Sequence, residues 1–414
     1  MKIKIELKLI TSISLFVAVF FLPLKTTISN FGIILLCITS VASFLKNGID
    51  LNMLRKFRFY LTSTIILYVP FLMGTLYASS YGQAFDELER CVFYLLVPII
   101  LLRTDLSRDA TLQLIAWALL LGTIACMLYL HTENILRFIE SGKQFKGLLS
   151  YNFTGKRFVA PLKDMHPVYL GSYFVMLLAL LWNREFKIKT PLRAVVTILT
   201  VLSIVFLNSR IIFICLFIVM LTYGALYYNR VKHYLWIGVV AILVLGVSIK
   251  KTYVYNKLVK GSLWELTDNV ATEGLDSKKV GDSRMARWKV AMNLIKQKPI
   301  FGYGTGTERK RLTEAYRKRG MEVSYEQQFN SHNQYLGYAI DFGVFGLLFL
   351  CVFLFMNITR AIKLRDAGYF TFIAIISVCC LTENYLTRNM GVNFVVIFGL
   401  IYTAFLKKNK FNKS

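Results

Sequence analysis

The sequence predicts an all-α polytopic membrane protein with about twelve transmembrane helices. Of its 414 residues, 56% are hydrophobic and only 17% are charged, and the mean hydropathy is +0.54. A water-soluble domain of this size would normally be about a quarter charged. The composition therefore excludes an ordinary soluble domain and a disordered chain. The apolar residues also fall into runs approaching the length that spans a bilayer, about 20 residues.

Twelve apolar runs, separated by polar segments, are the candidate spans. The fourth is short and contains Pro98. The first is followed by Pro23-Leu24-Lys25 instead of the small residues of a cleavage site, which predicts a retained anchor and not a removed signal peptide. In chain order the runs cover residues 9–24, 29–45, 59–79, 90–102, 110–130, 167–182, 194–209, 211–228, 235–249, 333–356, 367–382 and 391–406.

The distribution of lysine and arginine predicts the orientation. Loops on one side of the membrane carry 22 Lys and Arg residues. Short cytoplasmic loops hold an excess of these cations, so we expect both termini to be cytoplasmic. Two long loops, 131–166 and 250–332, then lie outside, because long loops translocate regardless of their charge. The four short loops on the outer side hold one cation each, namely Lys25, Arg90, Arg210 and Arg388.

The chain is thus expected to have three parts. Residues 1–249 hold spans one to nine, residues 250–332 form a large outer loop, and residues 333–414 hold spans ten to twelve with a cytoplasmic tail. The large loop carries 17 Lys and Arg against nine Asp and Glu. The formal net charge of +26 lies in loops, so we assign it to membrane orientation and headgroup contact and expect no nucleic-acid partner.

Polar groups gather at the outer ends of the spans. Asp341 is the one clearly internal ionisable residue, whereas an ion-coupled transporter usually places several such groups near mid-membrane. The seven cysteines all lie in apolar runs and are interpreted as small buried hydrophobic residues. This layout favours a reaction at the outer face. The outer-end groups are His166, Asn208, Ser209, Arg210, Arg284, His332, Asn333, Glu383 and Arg388.

Two features of the large loop have alternative explanations. Residues 283–295 place Met285, Trp288, Met292 and Ile295 at helical spacing, which predicts an amphipathic helix. Its basic faces are explained either by contact with lipid headgroups or by an arginine that reaches an anionic lipid-linked substrate. The following glycine-rich segment 301–306 is a weak signal for a phosphate-binding loop, because it lacks the Lys-Ser/Thr ending.

Arg210 and His332 are the sharpest single candidates. Arg210 lies in a turn between two apolar spans, where it is either an interfacial anchor or a phosphate-binding guanidinium. His332 opens span ten, either as a helix cap or as a proton acceptor. No Asp-x-Asp occurs, so metal-dependent glycosyl transfer is disfavoured. The acidic segment 86–89 is better explained by acids at a helix start.

A motif around His332 resembles a known signature. His332-Asn333, nine residues, Gly343, two residues and Gly346 match the His-[Asn/Ser/Gln]-x9-Gly-x2-[Gly/Thr/Tyr] pattern of the O-antigen ligase and O-antigen polymerase superfamily. The segments Asn208-Ser209-Arg210 and Ser283-Arg284 with Trp288 and 298–304 are similar to two other blocks of that family. The long loop and the twelve spans also fit it.

The resemblance implies a fold of the glycosyltransferase C type and an enzyme that needs no metal or other cofactor. Such an enzyme moves a glycan from undecaprenyl pyrophosphate to an acceptor at the periplasmic face of the bacterial inner membrane. Family roles carried over to this chain make Arg210 and Arg284 ligands of the donor pyrophosphate. The same carry-over makes His332 the residue that activates or holds the acceptor. Additional candidates are Arg287 (an alternative to Arg284), His166, Asn333, Glu383 and Arg388.

The sequence leaves the exact reaction open. Our main hypothesis is an O-antigen ligase, which is metal-independent and inverting, with lipid A core as acceptor and membrane lipids as surroundings. A polymerase of O-antigen or capsule repeat units from the same superfamily is the nearest alternative, because it shares the donor. A lipid-linked oligosaccharide flippase is less favoured, since it should show cations inside several spans. A non-enzymatic scaffold would not require the His motif.

Overall fold

The computed structural model describes residues 2–47, 51–100, 108–183, 185–227, 265–267 and 282–404, and these contain helices and no β-strand. The predicted ninth span, 235–249, and most of the large loop before residue 282 lie outside the described residues. In chain order the helices are α1 (Lys2–Phe20), α2 (Thr26–Asn47), α3 (Leu51–Thr75), α4 (Tyr81–Cys91), α5 (Phe93–Ile100), α6 (Arg108–Glu140), α7 (Lys156–Val159), α8 (Pro167–Trp182), α9 (Thr190–Leu207), α10 (Arg210–Tyr227), α11 (Arg284–Gln297), α12 (Glu308–Lys318), α13 (Glu322–Glu326), α14 (Gln334–Lys363), α15 (Ala367–Cys379) and α16 (Asn389–Gly399), with a π-helical turn at Leu400–Ala404.

Six of these helices are long and apolar enough to cross a bilayer. A seventh span results if the segment Tyr151–Leu162 and α8, which meet at 87°, are counted as one broken span. The prediction of an all-helical membrane protein is therefore confirmed, while the number of twelve spans stays a prediction. The six lie at Thr26–Ser43, Phe57–Thr75, Asp109–Glu140, Thr190–Leu207, Arg210–Tyr227 and Gln334–Lys363.

Two of the predicted runs illustrate how the helices differ from the apolar segments. The fourth apolar run, 90–102, is split, because α4 ends at Cys91 and α5 begins at Phe93. The helix that contains the run 110–130 continues to Glu140. Polar side chains in residues 131–140 end the apolar run without ending the helix. The first ten residues of the predicted outer loop 131–166 therefore belong to α6.

The central element is α8. All residues of Pro167–Trp182 are buried, as expected for a helix that is apolar on every side. It contacts α6, α9, α15 and α16. His166 caps its N-terminus through Nδ1, which accepts a hydrogen bond from the Val168 backbone N–H at 3.4 Å. Because α8 is held in the core, the position of His166 at its N-terminus is fixed as well.

α10 runs parallel to α8. Near its start, Ile212 fills the space beside Gly171, where a Cβ would collide with it. Near its end, the Tyr223 hydroxyl donates to the Ala179 carbonyl at 2.6 Å. Since both pairs of ends match, Arg210 and His166 lie at the same end of the helical bundle.

α14 is broken at Gly343, which has φ 63° and ψ −154°. The glycine-rich loop fills the break. The backbone N–H groups of Tyr303 and Gly304 donate to the carbonyls of Ile340 and Asp341 at 2.9 and 2.8 Å, which satisfies carbonyls that the break deprives of helical partners. A Cβ on Gly343 would strike the Ile300 carbonyl, so this close approach and the positive φ both require glycine.

The same hydrogen bonds exclude the phosphate-loop interpretation of residues 301–306. The N–H groups of Tyr303, Gly304 and Thr305 all donate to backbone carbonyls, the last to that of Gly74. They are therefore not free to bind an anion. Asp341, the internal carboxylate, accepts from the Glu308 N–H at 2.7 Å and so stabilises the start of α12.

The structure has a helix, α11, where the amphipathic helix was predicted, but the predicted apolar face is not the one that packs. Ser283 caps it by accepting from the Ala286 N–H at 3.2 Å. Its buried apolar residues include Ala286, Val290 and Ala291, whereas Met292 on the predicted face is 45% exposed. Small alanines allow the neighbouring helix α12 to approach closely, and the bulkier side chains remain beside an open groove.

Candidate functional site

His332 lies in a tight turn directly before α14. Its φ is 47°, and its backbone N–H donates to Asn330 Oδ1 at 3.1 Å. The cap of α14 is Asn333, whose Oδ1 accepts from the Tyr335 and Leu336 N–H groups at 3.0 and 3.2 Å. Because the helix is already capped by Asn333, the imidazole of His332 is left for another role.

His332, Glu383 and His166 form a cluster that joins three distant parts of the chain. His332 Nδ1 is 3.4 Å from Glu383 Oε2, and His166 Nε2 is 3.9 Å from Glu383 Oε1. Glu383 is buried, with 8% of its surface exposed. The structure thus brings together three of the residues predicted to lie at outer helix ends.

The charge state of Glu383 follows from its neighbours. Burial alone would raise the pKa of Glu383, but the hydrogen bond with His332 and the nearby His166 and Arg284 lower this pKa to about 2. The carboxylate is therefore ionised at neutral pH and can only accept hydrogen bonds. It follows that His332 Nδ1 carries a hydrogen in this contact and donates it to the carboxylate.

His166 has the opposite assignment. Burial lowers the pKa of His166 to about 4, with Lys156 and Arg284 adding to this effect and Glu383 opposing it. His166 is thus neutral at pH 7. Since its Nδ1 accepts from the Val168 N–H, its Nε2 carries the hydrogen that faces Glu383. We expect His166 to position Glu383 and not to exchange protons.

A second buried carboxylate, Glu308, holds the turn that contains His332 through hydrogen bonds. Glu308 Oε1 accepts from the Ser331 N–H at 2.9 Å, and its other oxygen accepts from the Asn384 amide. Asn384 Oδ1 in turn accepts from the Asn333 N–H at 3.2 Å. Desolvation raises the pKa of Glu308. No sequence pattern indicates Glu308, because its partners are 23 or more residues away.

The two arginines of α11 occupy different surroundings. Arg287 is only 6% exposed, and its guanidinium lies 5.0 Å from the Phe329 ring centroid. The Arg284 side chain is 29% exposed, with Nε 4.0 Å from Glu265, and its charge contributes to lowering the pKa of Glu383. Arg284 therefore lies near the cluster of His332, Glu383 and His166, whereas Arg287 is buried against Phe329.

The remaining candidates lie around this cluster. Arg210 is half-buried at the start of α10, at the same bundle end as His166. Arg388 is exposed and lines a cavity of about 610 Å³ together with His332. His131, interpreted as structural, packs between Phe158 and Phe206 with ring centroids 5.1 and 5.2 Å away. Over the described ranges, no three His, Cys, Asp or Glu side chains are arranged to hold a metal ion.

Comparison with protein families gives one match. Residues 195–351 match the family model described as O-antigen ligase. This match supports the predicted resemblance to the O-antigen ligase superfamily over that segment. The matched segment includes Arg210, Arg284 and His332. A comparison with curated proteins returned no significant match.

The four fixed positions of the motif have separate structural tasks. His332 presents its imidazole to a buried carboxylate, and Asn333 caps the following helix. Gly343 forms the break that receives the glycine-rich loop. Gly346 leaves space for Phe342, which a Cβ would strike.

Proposed function

We propose that the protein is an O-antigen ligase that transfers a glycan from undecaprenyl pyrophosphate to a hydroxyl of lipid A core. The observation that carries the proposal is the contact of His332 Nδ1 with the ionised Glu383, and His332 lies in the segment that matches the O-antigen ligase model. A histidine held in this way has one nitrogen available to accept a proton. We place the reaction at the periplasmic face of the inner membrane, with both termini cytoplasmic.

The proposed reaction is a single displacement. His332 Nε2 takes the proton of the acceptor hydroxyl, and the oxygen attacks the anomeric carbon of the donor. The bond from that carbon to pyrophosphate breaks, and undecaprenyl pyrophosphate leaves with the electron pair. The configuration of the anomeric carbon is therefore inverted. Glu383 stabilises the imidazolium that forms, as the carboxylate does in other histidine-carboxylate pairs.

Arg210 and Arg284 are proposed to bind the pyrophosphate. A guanidinium offers several donors in one plane and keeps its charge. Negative charge grows on the leaving group as the bond breaks, so two guanidiniums placed in advance stabilise the transition state more than the ground state. The exposure of Arg284 and the burial of Arg287 support Arg284 as the ligand from α11.

The two arginines of α11 provide a matched test. Arg284→Gln is expected to reduce transfer by about tenfold to a hundredfold, since a hydrogen bond to a charged group contributes about 1.5–3 kcal/mol. Its unfolding temperature should stay unchanged. Arg287→Gln should instead lower the unfolding temperature, because it removes the packing on Phe329. Steady-state transfer and thermal unfolding would be measured for both, and the reverse pattern would reassign the pyrophosphate ligand to Arg287.

Transfer is expected to continue in the presence of a chelator. The sequence has no Asp-x-Asp, and arginines can neutralise the leaving group in place of a metal ion. The protein would be reconstituted with lipid-linked glycan and lipid A core, and the product would be followed by mass spectrometry with and without EDTA. Loss of transfer with EDTA and recovery with a divalent ion would contradict this expectation and direct attention to the acidic segment 86–89.

A strain without the gene separates the ligase from its nearest alternative. Loss of all long lipopolysaccharide chains, together with accumulated carrier-linked polymer, supports the ligase. Lipopolysaccharide capped with single repeats instead supports a polymerase, which belongs to the same superfamily and uses the same donor. Complementation with the wild-type gene serves as the control.

A further inference from the structure

The cavity beside His332 is distinct from the place proposed for the pyrophosphate. It has a volume of about 610 Å³, within the usual range for small-ligand sites of about 300–1,000 Å³. Its walls come from α4, α12, the segment 327–330 and the segment 384–388. Within the described residues, its lining includes His332 but neither Arg210 nor Arg284. We call it the α4 cavity.

The lining of the α4 cavity suits a ligand that carries hydroxyl groups. It contains five carboxyl groups and five side-chain amides beside four Lys or Arg residues. A sugar offers hydroxyls that both donate and accept, and carboxyl groups, amides and guanidiniums together provide both kinds of partner. One aromatic side chain, Phe329, completes the lining.

Glu87 is the most distinctive group of this wall. It lies on the buried side of α4 with 9% exposure, and its Oε2 is 2.6 Å from an Arg90 guanidinium nitrogen. Burial raises the pKa of Glu87 to about 7, while Arg90 and Arg388 oppose this shift and Glu308 adds to it. A charged pair held in a cleft is costly to desolvate, and such groups concentrate at functional sites.

Arg388 stands on the other side of the same cavity. It is exposed and close enough to influence the pKa of Glu87. It follows the 385–387 turn, which begins one residue after Asn384. Glu383, the partner of His332, lies two residues before this turn, and His332 lines the same cavity. A ligand held between Glu87 and Arg388 would therefore lie next to the imidazole.

We propose that the α4 cavity binds the terminal sugar of the glycan acceptor, with Glu87 and Arg388 as ligands of its hydroxyls. This inference rests on the proposed transfer function and adds the acceptor subsite to it. The ligand class is a hydroxyl-rich sugar whose contacting ring carries no phosphate. The cavity orients one hydroxyl toward His332, while the pyrophosphate of the donor is bound elsewhere.

Glu87→Gln and Glu89→Gln form a matched pair for the test. Both replace a glutamate of α4 with its uncharged amide, but Glu89 is exposed and is not part of the cavity wall. The probe is core oligosaccharide released by mild acid from lipopolysaccharide of the source organism. Its binding to the full-length protein in nanodiscs would be measured by calorimetry, and the KM and kcat of transfer to intact acceptor would be measured in parallel.

The expected result is an acceptor Kd and KM raised about tenfold in Glu87→Gln, with kcat and donor KM within about twofold of wild type. Glu89→Gln should match wild type. Arg388→Gln changes an exposed residue and should show the same tenfold effect, which keeps the test decisive if Glu87→Gln folds poorly. Acceptor affinity unchanged in Arg388→Gln and in folded Glu87→Gln would overturn the proposal, as would a raised donor KM.

Enzymatic removal of phosphate from the probe provides a second arm. Binding of the dephosphorylated oligosaccharide at unchanged affinity supports a site for sugar hydroxyls, whereas loss of binding overturns it. The two levels of inference also separate here. Oligosaccharide binding that depends on Glu87 without any transfer by the wild-type protein would overturn the transfer function and leave the carbohydrate site standing.

Discussion

His332→Ala is expected to lower turnover by about a hundredfold to ten-thousandfold, the range for loss of a general base. Donor binding should persist, because the proposed pyrophosphate ligands are Arg210 and Arg284. Folding should also persist, since Asn333 and not His332 caps α14. The measurements are the kcat of transfer, binding of lipid-linked donor and thermal unfolding of the purified protein.

His332→Asn and Asn333→Ala distinguish the base from the cap. An asparagine caps helices well, but at position 332 the cap already exists in Asn333, so His332→Asn should be as inactive as His332→Ala. Asn333→Ala should cost about 1 kcal/mol of stability and should affect transfer only indirectly, through the position of the turn that holds His332. Transfer near the wild-type rate by His332→Asn would remove His332 from the role of base.

Glu383→Gln is expected to reduce kcat by about a hundredfold or more, although the side chain keeps its shape. The amide carries no charge to stabilise the imidazolium, and its NH₂ group can donate to Nδ1, which would place the imidazole proton on the wrong nitrogen. Glu383→Asp retains the charge at a greater distance and should recover part of the activity. The kcat and the pH-rate profile would be compared for the wild type and both variants.

The lowered pKa of Glu383 determines how this carboxylate affects stability and activity at different pH values. With its pKa lowered to about 2, Glu383 stabilises the fold at pH values above about 4.3, the usual glutamate pKa. This contribution is lost only as the pH falls toward 2. Glu383 itself should therefore add no titration to the activity between pH 5 and 8. Activity of Glu383→Gln equal to wild type across this range would contradict its role beside His332.

Sequence patterns predicted the helices and part of the site, but not the contacts that assemble it. Apolar runs identified α8 and α14 because burial in lipid or protein requires continuous hydrophobicity. His166, His332 and Glu383 were recognised as polar groups at the outer helix ends. The motif resemblance singled out His332, yet spacing alone could not show which residue caps the following helix, and the structure shows that this residue is Asn333.

The residues that were missed act over long distances in the chain. Glu308 supports Ser331 and Asn384 from a different helix, and Glu87 reaches the same cavity from α4. No local periodicity encodes such contacts. The glycines of residues 301–306 likewise suggested an anion loop, although their space and φ values serve backbone pairing with α14. Pairing between distant backbones depends on the tertiary fold and has no signature in composition.

The break at Gly343 also determines how the turn that holds His332 is rotated about the axis of α14. The nine residues between Asn333 and Gly343 make about two and a half helical turns, or roughly 13 Å. The end at Asn333 is held by the hydrogen bonds of Glu308 and Asn384. The end at Gly343 is held by backbone hydrogen bonds with the glycine-rich loop. Each residue of a helix advances the chain by about 100°. An added or deleted residue would therefore rotate the imidazole by about a quarter turn away from Glu383, so the contact between His332 and Glu383 depends on the length of this short segment.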